Sequence, residues 1–314
     1  MVELVSAFVL DLFLGDPPYS WHPVRILGRW IERAEPWLRA RFSARTAGFI
    51  LAIFLPLATF VIIWFFTELA FQFHPVLKSI LYVYFLYSVI SIKDLDSEAR
   101  RVYTALRNDK LEAARQNLSR IVGRDTENLS EEEVVRGTVE TVAESFVDGV
   151  LSPLFYAALG GAPLAMAYKA INTLDSMVGR KTPHYKEFGR ASAKLDEWAN
   201  WFPARISWFL IGLGTFFING RTQEAWRVAW DNALDRSLPN GAVPEAAFAG
   251  ALGVELGGTN YYQGQKVEMP KLGYPMRALE KTDIRQAAHL MKMSSWAALA
   301  FALLLSELSV FIFH

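Results

Sequence analysis

The sequence predicts an all-α, polytopic integral membrane protein with polar helical loops on the cytoplasmic side. Three observations lead there. Hydrophobic residues make up 52% of the 314 residues and charged ones 20%, and mean hydropathy is +0.18, a mixture that suits membrane spans joined by sizeable polar loops. Several apolar runs are close to the roughly 20 residues a membrane helix needs. Lys and Arg are distributed unevenly around the first of these runs.

Residues 4–14 are apolar but short, and Gly15-Asp16-Pro17-Pro18 ends any helix there. The N-terminal stretch lacks a basic leader and carries Asp11 within its apolar run, which argues against a cleaved signal peptide. Next comes an amphipathic segment with Arg25, Arg29, Arg33, Arg39, Arg41 and Arg45, a basic collar beside a span. Residues 48–66 carry no charge and form the first full span, with Pro56 tolerable inside a membrane helix. A linker without Lys or Arg leads to a return span at 76–92, so the outer flanks are expected in the cytoplasm.

Residues 93–148 are charged, helical in period and free of proline, and Ser130-Glu131-Glu132-Glu133 is a capping-box start. Residues 150–171 are apolar but broken by Gly160-Gly161-Ala162-Pro163. One kinked span and a re-entrant hairpin both fit that run. Residues 201–218 and 295–313 complete the membrane segments; 172–200 and 219–294 are polar, the latter with loops rich in Gly, Pro and Asn.

Composition excludes several chemistries. There is no cysteine, so disulfides, thiolate catalysis and Cys-held metals are out. The five histidines are scattered, leaving hard oxygen ligands for Mg²⁺ as the natural metal chemistry. Zero net charge does not suit a nucleic-acid partner. No Walker A loop or strand-borne GxGxxG is present.

Three charged groups stand out. Glu140, Glu144 and Asp148 fall at i, i+4, i+8 on one helical face, where they repel unless solvated or gathered by a cation. Asn172 and Asp175 begin a polar block that runs to Arg205, with Arg180, Lys181, Lys186, Arg190 and Lys194. These bases suit either phosphate binding or a positive membrane flank. Asp11, Asp16 and His22 cluster around the first turn, and an acid inside an apolar helix usually faces a partner or a cavity. If 150–171 is a hairpin, the acidic groups at its two ends meet at its base. Tyr261-Tyr262 suits either stacking on a planar ligand or ordinary packing.

At DLFLGDPPYSWHPVRILGRWI, EARRVYTAL, LSRIVGRDTENLSEEEVVRGTVETVAESFVDGVLSPLFYAALGG, NTLDSMVGRKTPHYKEFGRASAKLDEWANWFPARIS, PEAAFAGALGVELGG and NYY, the chain resembles the CobD/CbiB family of adenosylcobinamide-phosphate synthases. The resemblance covers nearly the whole chain. It departs at Pro239-Asn240-Gly241-Ala242-Val243-Pro244-Glu245, where the family pattern has a Trp before Pro-Glu.

The resemblance implies one multi-pass domain over residues 1–314 in the cell membrane, working in cobalamin biosynthesis. The implied reaction is ATP-dependent amide formation between the free carboxylate of adenosylcobyric acid and aminopropanol or its phosphate. On that reading ATP is a co-substrate. Mg²⁺ is held by Glu140, Glu144, Asp148 and Asp175, and Asp16, His22 and Asp175 are catalytic. Arg25, Asn172, Arg180, Lys181, Lys194, Asn200, Arg205 and Glu245 bind substrate. The partners are the corrinoid, the amine and the lipid bilayer, with self-assembly open. A corrinoid transporter, a scaffold for cobalamin enzymes and a diphosphate-substrate transferase are the rival functions.

Overall fold

The computed structural model describes residues 1–16, 19–180, 182–218, 221–234 and 238–313, the side chains of 232–234 and 309–313 excepted. In chain order the helices are α1 (Val2–Leu14), α2 (Pro23–Arg39), α3 (Ala44–Phe73), α4 (Pro75–Tyr87), α5 (Ile92–Arg107), α6 (Leu111–Leu118) and α7 (Glu131–Phe146). A π-helical turn, Val147–Leu151, leads to α8 (Ser152–Val178), α9 (Arg190–Ala199), α10 (Trp201–Thr215), α11 (Thr222–Leu234) and α12 (Ala242–Leu252). Strands β1 (Leu256–Tyr262) and β2 (Gln265–Leu272) precede α13 (Lys281–Phe313).

The helical membrane architecture is as expected. Among the described residues four helical stretches are long and apolar enough to cross a membrane: Ala44–Phe73, Pro75–Arg107, Glu131–Val178 and Lys281–Leu308. The apolar helices α1 and α10, of 13 and 15 residues, fall short of the roughly 20 needed to cross. The chain divides into two compact units. The first comprises Met1–Ser91, Asp148–Pro203 and Leu299–His314; the second comprises Ile92–Val147 and Ala204–Ala298.

In the first unit α3 starts on Ser43, whose hydroxyl accepts the Thr46 N–H at 3.3 Å. Its 30 residues extend about 45 Å at 1.5 Å per residue, more than a bilayer's hydrocarbon thickness. Gly48 lets the carbonyl of Phe188 press against the helix backbone where a Cβ would collide with it. Pro23 sits at the first turn of α2, the helical position where its missing N–H costs nothing.

The broken apolar run is a hairpin. Gly160 and Gly161 leave helical geometry, with Gly161 at φ 64° and ψ −160°. The arms fold back so that the rings of Tyr156 and Tyr168 stack with centroids 5.0 Å apart. Asn172 Nδ2 reaches Asp148 Oδ2 at 3.4 Å, whereas a straight helix at about 1.5 Å per residue would part them by roughly 36 Å. Both ends of the run therefore lie at one level. Ser91 belongs to the same level, since its N–H donates to the carbonyl of Gly149 at 3.0 Å. Because the native chain has no cysteine, single Ser91→Cys and Ser176→Cys variants report topology directly. An impermeant maleimide added to sealed vesicles of one orientation is expected to label both from the same side. Labelling from opposite sides would show a through-span.

The second unit departs from an all-helical expectation by one antiparallel hairpin, with Tyr262 paired to Gln265 and Thr259 to Glu268. Gln263 and Gly264 both take positive φ, 53° and 75°, the two-residue turn whose twist matches paired strands. Asp125 holds that turn from outside, its carboxylate accepting the N–H groups of Gln263 at 3.0 Å and Gly264 at 2.7 Å. Helix α7 begins with the expected capping box between Ser130 and Glu133. Helix α12, AVPEAAFAGAL, is buried along almost its whole length. Its Gly250 permits contact with the backbone of Glu224, which a Cβ would meet at 2.6 Å.

Candidate functional site

Polar residues gather in two places, one in each unit. In the first unit the hairpin base is the organising feature. Ser152 and Tyr168, on opposite arms, both donate to Asn200 Oδ1, at 2.6 and 2.8 Å. Asn200 Nδ2 donates to Asp196 at 3.0 Å, and the Tyr156 hydroxyl donates to the carbonyl of Ala199 at 2.9 Å. Asn200 is buried and its amide is spent within the protein. Asn200, expected among the substrate-binding residues, forms a clasp between the hairpin and α9.

Around this base lie several of the expected residues. Asp148 meets Asn172, so the acidic end of one arm and the polar start of the next block are brought together. His22, buried, pairs its Nε2 with Asp16 Oδ1 at 3.2 Å, and Tyr19 sets its ring edgewise to the imidazole at 5.6 Å between centroids. The turn that carries them is fastened by Tyr87, whose hydroxyl donates to the carbonyl of Gly15, and by Arg29, which donates to Ser20 at 2.7 Å. Lys169, on the second arm, lies in the field of Asp16, Asp148 and Asp11. Nothing in sequence spacing singled it out, because a lone Lys in an apolar run reads as a membrane flank.

Asp175 sits one turn from the end of α8, with its carboxylate over the Cα of Gly179, where a Cβ would collide. That accounts for the glycine before Arg180. Arg25, Arg180 and Lys194 are exposed, and Lys194 pairs with Glu197 at 2.9 Å. Lys181 lies outside the described residues.

In the second unit α7, α12 and the β-hairpin enclose a cavity of about 240 Å³, lined by Arg124, Glu140, Glu144, Glu245, Asn260 and Tyr262 among others. Glu140 is the buried pillar of this wall. Its carboxylate accepts Arg124 at 2.8 Å and the Gly257 N–H at 2.8 Å, with Arg136 Nε at 3.8 Å. Arg124 also donates to Asn260, and Arg136 donates to the carbonyls of Gly257 and Thr259. Arg205, expected to hold substrate, donates to Asn240 at 2.8 Å.

These contacts describe the surroundings of one residue of the expected Mg²⁺ set, Glu140. Hydrogen bonds from Arg124 and the Gly257 N–H engage this carboxylate, and through them Glu140 ties the β-hairpin to α7. The α-helical period on which the acid row was counted ends at Phe146, and Asp148 stands in the π turn. Glu140 and Glu144 belong to the second unit, Asp148 and Asp175 to the first. Among the described residues no group of three or more His, Asp or Glu side chains is arranged to hold a metal.

Glu245, by contrast, opens on the cavity. Burial, and the negative fields of Glu140 and Glu144, push its carboxyl well above its ordinary 4.5 despite the opposing Arg124. The folded state therefore holds this proton at pH values where the unfolded chain has released it. Stability falls as pH rises from 4.5 through the folded value. Glu245→Gln should flatten that fall: its melting temperature should exceed that of the unaltered protein at pH 8 and converge with it near pH 5. A parallel pH dependence in both proteins would refute the assignment.

The fold and its sites define a polytopic helical membrane protein with a polar cluster at a re-entrant hairpin and a carboxylate-lined cavity in its second unit. The chain belongs to the CobD/CbiB family, whose model, described as CobD/Cbib protein, matches residues 4–291. It is 40% identical over 307 residues to the cobalamin biosynthesis protein CobD of Clostridium perfringens, covering 97% of this chain and 98% of that protein. It is 43% identical over 297 residues to the protein of the same name from Yersinia enterocolitica, covering 93% of each. With the cobalamin biosynthesis protein CbiB of Salmonella arizonae it shares 42% over 298 residues, 94% of this chain and 93% of that one. No solved structure matches.

Proposed function

We propose that this protein acts in cobalamin biosynthesis as an ATP-dependent ligase. It joins the free carboxylate of adenosylcobyric acid to aminopropanol or aminopropanol phosphate and yields adenosylcobinamide or its phosphate. The observation that carries this reading is the whole-chain match to a family whose relatives are named for cobalamin biosynthesis. The hairpin base supplies the kind of polar, membrane-bordered site that such a reaction requires.

A carboxylate is a poor electrophile; ATP converts it to an acyl phosphate with release of ADP, and the amine then displaces phosphate to form the amide. ATP would enter as its Mg²⁺ complex, the metal neutralising phosphate charge. Lys169, Arg25 and Arg180 supply positive charge for phosphate oxygens, a matter of electrostatics and positioning. On this reading the Asp16–His22 pair, 3.2 Å apart, takes the proton that the ammonium must lose before its amine attacks. The reaction faces the cytoplasm, where ATP is.

Asp175→Asn is expected to lower turnover by about a hundredfold or more, the usual scale for losing a general acid–base or positioning group, while the protein stays folded in membranes. Retained turnover would remove Asp175 from the site. The reaction itself is tested on purified protein with adenosylcobyric acid, either amine, ATP and Mg²⁺, products being followed by mass spectrometry. An amide product with stoichiometric ATP cleavage is the expected outcome. Absence of product from protein that still binds the corrinoid would overturn the ligase reading and favour transport or scaffolding.

A further inference from the structure

We propose that a crevice between α3 and α9, in the first unit, binds one anionic phospholipid. Arg45, Arg190 and Lys194 hold its phosphate, and an acyl chain lies along α3. The crevice has a volume of about 440 Å³, and its described lining residues set those three cations against a single carboxylate, Glu187. Arg45 and Arg190 are exposed and form no ion pair with any described acid. Lys194 pairs with Glu197 where both side chains are about half exposed, a contact of little net worth that a phosphate can replace. Guanidinium and ammonium groups are the side chains that hold phosphate oxygens, and basic recesses beside membrane helices take anionic headgroups.

The rest of the wall is apolar. Phe49, Ala52 and Ile53 of α3 line it together with Leu195 and Trp198 of α9. From Arg45 to Ile53 the helix rises about 12 Å at 1.5 Å per residue, so the apolar strip runs from the cations into the span. Phe49 and Ile53 are exposed on a helix long and apolar enough to cross a membrane, where hydrocarbon covers them. Trp198 is also exposed, its ring 5.7 Å from the Lys194 ammonium, and such amphipathic rings settle at headgroup level. The floor is preformed, since Gly48 lets the backbone of Phe188 rest directly on α3. A soluble phosphate would engage the cations and leave the apolar strip bare. A lipid without net charge would cover the strip and leave the cations unmatched. An anionic phospholipid satisfies both.

The crevice stands apart from the ligation chemistry proposed above, which draws on Lys169, Arg25 and Arg180. The test is native mass spectrometry of the full-length protein released from a neutral detergent, titrated with dioleoyl phosphatidylglycerol and with dioleoyl phosphatidylcholine. One phosphatidylglycerol should be retained at concentrations about tenfold below those that phosphatidylcholine needs. The double variant Arg45→Gln/Arg190→Gln should abolish that preference by weakening phosphatidylglycerol about tenfold or more, the scale for losing a hydrogen bond to a charged group. Ala191→Trp, which fills the crevice from α9, should weaken both lipids together. Melting curves show which variants are folded. The Gln pair alters only exposed side chains, so it carries the test by itself if Ala191→Trp does not fold.

Equal retention of the two lipids, or a preference unchanged in the Gln pair, would overturn the proposal. So would binding of inorganic phosphate that the Gln pair loses while neither lipid is preferred, because the cations would then serve a soluble phosphate.

Discussion

Arg124→Leu should destabilise the second unit by about 3–5 kcal/mol, the cost of leaving one half of a buried ion pair uncompensated. The side chains of Arg124 and Glu140 are 6% and 10% exposed, so bulk solvent screens the stranded charge poorly. Arg136 Nε is 3.8 Å from Glu140, beyond hydrogen-bond distance, and its terminal nitrogens are engaged by the β1 carbonyls, which makes it a weak substitute. The loss should appear as a lower melting temperature and as faster hydrogen exchange in α7 and the β-hairpin. The double variant Arg124→Leu/Glu140→Gln tests the cause. Its neutral amide keeps an acceptor for the Gly257 N–H and removes the stranded charge, so it should recover much of the loss. A single variant that melts within about 1 kcal/mol of the unaltered protein would mean that the pair adds little, as exposed pairs do.

Gly161→Val should disrupt the hairpin of the first unit. At φ 64° and ψ −160° the residue occupies a region open essentially to glycine alone, and a side chain there costs about 1–3 kcal/mol in backbone strain. A Cβ would also meet Tyr82 Cε1 at 2.9 Å, and a β-branched group enlarges the clash. The expected result is loss of folded protein from detergent extracts, with turnover falling in the fraction that remains. Turnover measured per folded molecule separates the two effects. Unchanged yield and activity would show that the reversal of direction between Tyr156 and Tyr168 does not depend on this position.

Much of this architecture was legible in the residues. Uncharged runs near membrane length mark spans wherever they occur, since no other solvent suits them, and residues 48–66 fall within α3 as expected. The capping box at Ser130 and Glu133 is equally local, a contact over three residues that spacing alone reveals. The turn at Gly15-Asp16 and the pairing of Asp16 with His22 lie within a few residues, and their grouping followed from proximity in the chain.

Tertiary structure decided everything that depends on which distant segments meet. Apolar content at 150–171 is the same for a through-span and a hairpin, and the reversal emerges only from the contacts of Asp148 with Asn172 and Tyr156 with Tyr168. Lys169 acquires meaning from carboxylates far away in the chain, at Asp11 and Asp16. Glu140 shares a helical face with Glu144 by periodicity, yet its hydrogen-bond partners, Arg124 and the N–H of Gly257, come from elsewhere in the chain. The β-hairpin escaped detection because glycines and a bulge near Gly257 and Gly258 blur the two-residue alternation. Local patterns report where a segment is comfortable. A site is made of charges and cavities shared between segments, and their energies depend on distances that one-dimensional spacing does not contain.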